Sequence, residues 1–133
     1  MTRPQKFVSV LCVGATVGLG FTSLQQPPRQ QSKPTAYTYV KDIAPLIKSY
    51  CRPCHDSENE NPSGLSMDDF EKLMKGGNHG SIVIPGKPME SNLYLKLLPT
   101  PPFGKQMARG RKKLSDDDIK VIYDWIEQGA KKE

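Results

Sequence analysis

Histidine and cysteine are both scarce in this chain. Its 133 residues hold two histidines, His55 and His79, and three cysteines, Cys12, Cys51 and Cys54. A structural zinc site closes with four ligands, often from two cysteine pairs, and no second pair exists here. A structural disulfide is geometrically poor at the Cys51–Cys54 spacing. Aromatic residues make up only 8%, and none interleaves the main basic cluster. With no reading helix either, nucleic acid is a poor candidate partner. No run alternates apolar and polar residues convincingly, so strands are not expected, and Ser81–Pro85 reads as a loop. There is no internal repeat.

Long apolar runs are also lacking, with one exception. Phe7 to Phe21 is uncharged and mostly apolar, and Arg3 and Lys6 precede it. This is the layout of an export signal. Counted to Leu24, the stretch approaches the minimum for a membrane span. Residues 1–24 are therefore expected to be a signal peptide or an uncleaved anchor. Either reading places the protein in the periplasm or on the outer face of an inner membrane. Any membrane contact is expected only through that anchor. Residues 25–35, rich in Gln and Pro, read as a disordered linker. The folded domain is expected at 36–133.

What remains is short, basic and rich in loop formers. The 12 prolines and 11 glycines predict short elements. The formal charge is +5, and Lys105, Arg109, Arg111, Lys112 and Lys113 cluster in one segment. Such a cluster is either a solvated loop or a docking patch for an acidic partner.

Four helices are predicted. The first is expected from Asp42, as N-cap, to Tyr50, with Ile43, Leu46, Ile47 and Tyr50 on one stripe. Pro45 would fall at its third position, where the missing N–H loses no partner. The second is expected to open with a capping box, Ser66 to Asp69, and to end at Gly76–Gly77. Met67, Phe70, Leu73 and Met74 would line its buried face. The third is expected over 89–98, with Leu93, Tyr94, Leu97 and Leu98 inward. The fourth is capped by Ser115, boxed by Asp118 and stopped by Gly129, with Ile119, Ile122, Tyr123 and Ile126 as its stripe and Trp125 beside it.

Cys51-Arg52-Pro53-Cys54-His55 is C-x-x-C-H, the pattern for covalent haem c. Two thiols at this spacing reach two vinyl groups, and the next residue offers an imidazole to the iron. A dithiol redox site is disfavoured, because the motif follows a helix rather than opening one. Haem also suits a domain too small to build a large core from side chains. For the sixth ligand the candidates are Met67, Met74, Met89, Met107 and His79. Met67 and Met74 have a packing role on an apolar helix face. Met107 has none, in a basic loop before the last helix, and is the leading candidate. Cofactor-binding residues are thus expected to be Cys51, Cys54, His55 and Met107, with His55 and Met107 on the metal.

From Val40 onward the chain resembles the planctomycete-type branch of the class I cytochrome c family. The matching pieces run from Asp42-Ile43-Ala44-Pro45-Leu46-Ile47 through Cys51–His55, Gly64-Leu65-Ser66-Met67 and Ile84-Pro85-Gly86-Lys87-Pro88. They continue through Ser91-Asn92-Leu93-Tyr94 to Leu114-Ser115-Asp116-Asp117-Asp118-Ile119 and Trp125–Ala130. The resemblance implies an all-α, class I cytochrome c-like fold around one haem, with first and last helices crossing near it. In that family the axial Met usually opens a Met-Pro-Pro segment. Here the segment is Met107-Ala108-Arg109-Gly110, and Pro101-Pro102 stands earlier. Tyr94 and Trp125 are candidates for packing on the haem. The expected function is single-electron transfer between exported or membrane redox partners, without enzymatic activity of its own. The alternatives are a haem-based ligand-binding or sensor module with a displaceable sixth ligand, and a haem subunit of a larger redox complex.

Overall fold

Residues 36–59 and 61–133 are described by the computed structural model, so the apolar N-terminal run and most of the linker lie outside them. Thr38 opens the first helix. Its N–H donates to the Asp42 carboxylate at 2.8 Å, and its hydroxyl accepts from the Lys41 N–H at 3.4 Å. The N-cap is therefore Thr38, and Asp42 is its reciprocal partner inside the first turn rather than the cap itself. Three pieces follow without a break: a π-wound Tyr39–Ile43, an α-wound Ala44–Leu46 and a π-wound Ile47–Cys51. Together they form α1 (39–51). The earlier start puts Pro45 in the helix interior rather than at its third position. There it deletes one i→i−4 bond. The winding widens on either side, with the Ala44 N–H reaching Tyr39 O and the Arg52 N–H reaching Ile47 O.

The second helix, α2, is Phe70–Lys75, and its cap is Asp69, which accepts from the Lys72 N–H at 2.8 Å. The expected Ser66 box does not form, because the Ser66 hydroxyl donates to Asp68 at 2.9 Å instead. Gly76 ends α2 at φ 79°, and its successor Gly77 bridges Gly80. A Cβ on Gly77 would run into the Ser63 carbonyl and the Leu65 backbone, so only glycine lets these two strips of chain meet.

The expected third helix is broken in two by Ser91. Pro88–Glu90 forms a 3₁₀ turn, and Asn92–Leu95 forms a single α turn, α3. Ser91 is fully buried, and its hydroxyl accepts from the Ile84 N–H at 2.9 Å and donates to Lys87 O at 2.9 Å. A side chain bonded this way substitutes for helical backbone partners. The last helix, α4, is Asp116–Glu127, with the reciprocal Ser115–Asp118 box in place. The described residues contain these four helices and no strand.

The core gathers Ile43, Ile47, Leu73, Ile122, Trp125 and Ile126, none more than 1% exposed. Trp125 is its centre rather than a flank. Its indole N–H donates to Lys131 O at 2.9 Å, and its ring lies 6.3 Å from that of Tyr39. Tyr39 N–H also donates to Lys131 O at 2.9 Å. α4 thus packs on the first turns of α1, and the C-terminal residues are fastened over the joint.

Candidate functional site

Helix α1 ends in the C-x-x-C-H motif, and the turn that follows determines what its side chains face. The Cys54 N–H donates to Cys51 O at 3.1 Å, and the His55 N–H is shared by Cys51 O at 3.0 Å and Arg52 O at 3.1 Å. This tight turn brings Cys51, Cys54 and His55 to the wall of one cavity of about 530 Å³. Both cysteines are free thiols. Burial pushes the Cys51 thiol up to about 11, while Cys54 is exposed at the rim.

His55 carries a telling feature. Its Nδ1 is buried and has no hydrogen-bond partner. Buried imidazole nitrogens are normally paired, so an orphan beside two free thiols fits a ring waiting for an acceptor or a metal. The rest of the wall suits a flat, mostly apolar group, with Leu65, Met67, Ile82, Leu93, Leu97 and Leu114 among its lining. The volume lies in the range of ligand sites. Thiol pair, orphan imidazole and apolar slot together fit a covalent haem.

Met107 lines the same cavity. Its N–H donates to Lys96 O at 2.8 Å, the neighbouring Gln106 side chain donates to Leu97 O at 2.8 Å, and Lys113 Nζ donates to Ala108 O at 2.9 Å. The first two bonds tie the loop to the residues just after α3, and the third braces the loop on itself. Of the other sixth-ligand candidates, Met67 and His79 also line the cavity, while Met74 and Met89 do not. Met89 is 62% exposed. Tyr94 and Trp125 do not line it either. Tyr94 stacks edge-on against Tyr123 at 5.1 Å, and Trp125 sits in the core. The aromatic residues on the wall are Tyr50 and Phe103 instead.

Sequence reasoning missed one supporting residue altogether. Asp68 accepts from the Ser57 N–H at 3.1 Å, from the Ser66 hydroxyl at 2.9 Å and from Lys72 Nζ at 2.8 Å. Its other oxygen lies 3.6 Å from Arg52 Nε, inside the motif. These donors, Lys72 foremost, hold its carboxyl well below the usual carboxylate range. With the bond from the Met67 N–H to His55 O, Asp68 locks the 56–69 loop onto the thiol turn. No motif announces it, because its partners are scattered over 20 residues of chain, from 52 to 72.

Among the described residues there is no cluster of three or more His, Cys, Asp and Glu that would hold a bare metal ion, and no helix is long and apolar enough to cross a membrane. A family model described as Planctomycete cytochrome C matches residues 51–100. Neither the curated proteins nor the solved structures give a match. The matched stretch begins at Cys51 and stops short of Met107.

Proposed function

Starting from the match of residues 51–100 to planctomycete cytochrome c, we propose that this chain is a monohaem c-type cytochrome that carries single electrons. The observation that carries the reading is the joint placement of Cys51, Cys54, His55 and Met107 on one apolar cavity. Cys51 and Cys54 would hold the haem as thioethers, and His55 and Met107 would be the protein's ligands to its iron. When bound, haem c would supply a one-electron couple, and a thioether ligand together with an imidazole would favour its reduced state. The chain's own part is to fix the imidazole, present the sulfur and keep water away. Leu65, Leu93, Leu97 and Leu114 do the last. The fold reading that goes with this is class I cytochrome c-like. No substrate site is needed, so the protein is not an enzyme by itself.

Docking is the second element of the proposal. Lys105, Arg109, Arg111, Lys112 and Lys113 are all exposed on the loop that carries Met107. They orient an acidic redox partner at the cavity mouth, in the periplasm or at the outer face of the membrane. Electron-transfer rates to that partner should fall as ionic strength rises from 0.01 M to 1 M, roughly the span over which screening shortens from about 30 Å to about 3 Å. Salt-independent rates would remove the docking role and leave the haem in place.

Carbon monoxide tests the ligation. Added to the reduced protein, it should change the spectrum slowly or not at all, because Met107 holds the sixth position. Met107→Ala should bind it rapidly and lose the weak far-red sulfur-to-iron band of the ferric form. Rapid binding by the wild type would favour a sensor or ligand-binding module instead.

A further inference from the structure

The cavity has a one-signed charge lining. Lys96, Arg109 and Arg111 contribute to its wall, and no Asp or Glu does. The stretch 91–115 contains no acid at all. Among the described residues neither arginine has an ion-pair partner. Lys96 Nζ donates to Phe103 O at 2.7 Å and lies 4.7 Å from the Phe103 ring. Three cations and no acid at the mouth of one apolar cavity set up a local positive field, and an anionic group placed among them would be attracted to it.

The basic segment therefore divides. Lys105 and Lys112 do not line the cavity, and Lys113 is spent on the Ala108 and Gln106 carbonyls. Arg109 and Arg111 face it. Lys113 Nζ holds the Ala108 carbonyl directly after Met107, whereas the Arg109 and Arg111 side chains make no hydrogen bond or ion pair with another described residue. We propose that Arg109 and Arg111, with Lys96, bind the carboxylates of the haem, and that this clamp holds the Met107 loop against the cavity. The inference rests on the haem reading above. Arginine suits the role, because its planar fork meets a carboxylate with two parallel bonds. In this loop, which lacks the Met-Pro-Pro of the family it resembles, the cofactor's own charges would supply the rigidity that proline does not. Arg109 and Arg111 are thus positioning residues for Met107.

The test uses the haem-loaded protein with two readouts, the midpoint potential and the ferric far-red sulfur-to-iron band. The R109Q/R111Q variant should shift the redox equilibrium about threefold to tenfold toward the ferric form, since two nearby positive charges that oppose the ferric state are gone. The band should weaken at the same time. R109K/R111K should restore most of the potential, because the charge returns, but not the full band. K41Q/K48Q removes two exposed charges from α1 that do not line the cavity, and should move neither readout. If R109Q/R111Q fails to mature, R111Q alone carries the same comparison. An unchanged potential and band in the glutamine variant would overturn the clamp, as would a shift matched by K41Q/K48Q. A wild type without haem would overturn the haem reading, and the clamp with it.

Discussion

Asp68 shows how one side chain can organise a site without touching the chemistry. Four groups converge on it, and each is more favourable to the carboxylate than to the acid. Its carboxyl is therefore lowered in the folded state relative to the unfolded chain, where an aspartate titrates near about 3.9. A lowered acid binds fewer protons when folded than when unfolded. Its contribution is present above about pH 4 and is lost as the pH falls below that value. Asp68→Asn should lower the melting temperature at pH 7 and flatten the acid limb, so that the gap between the two proteins narrows as the pH falls below about 4. Thermal melts at several pH values would show this. A constant gap across that range would mean that the ion pairs contribute nothing. Ser91 makes the same point with neutral groups. Ser91→Ala should remove the bonds to the Ile84 N–H and the Lys87 carbonyl, at a loss of about 0.5–1.5 kcal/mol each measured by urea unfolding. The thiols and His55 are legible in the sequence because they are contiguous and the chemistry dictates their spacing. Asp68 and Ser91 are not, because their roles lie in contacts that only folding creates.

Among the elements, the chain rewards local signals and hides competing ones. α4 is readable to the residue: a serine cap, an aspartate three positions on and an apolar stripe all agree. α1 is readable in kind but not in start. Thr38 and Asp42 are both good caps, and packing of Tyr39 on Phe70 at 5.3 Å and on Trp125 selects the earlier one. The expected third helix fails at Ser91, where a buried hydroxyl competes for backbone groups. The hairpin after α2 carries the most exacting requirement. Gly77→Ala should force Ser63 and Leu65 apart and loosen the cavity wall, with a cost of about 1–3 kcal/mol. The far-red band of the holoprotein and its unfolding midpoint should both decline. A variant of wild-type stability would mean that the backbone there gives way freely.

In the molecule as a whole, the main feature is one cavity of about 530 Å³ lined mostly by apolar side chains. On the proposed reading, haem would fill this space and complete a lean side-chain core. A chain with both Cys51→Ala and Cys54→Ala should be exported without covalent haem and show little cooperative unfolding. A sharp, native-like melt would contradict this. The apolar stripes and the motif stand in the sequence, but nothing there signals the cavity directly, because its wall is assembled from the loops at 61–67 and 103–114 as well as from helices.

The proposed function depends on Cys51, Cys54, His55 and Met107 serving one haem. The absorption spectrum of the exported protein in both redox states tests this most directly. Reduction should give a c-type α band, and oxidation a far-red sulfur-to-iron band that vanishes in Met107→Ala. Absence of the α band would contradict haem attachment. A ferric band that persists in Met107→Ala would move the sixth ligand to another methionine on the cavity wall, Met67.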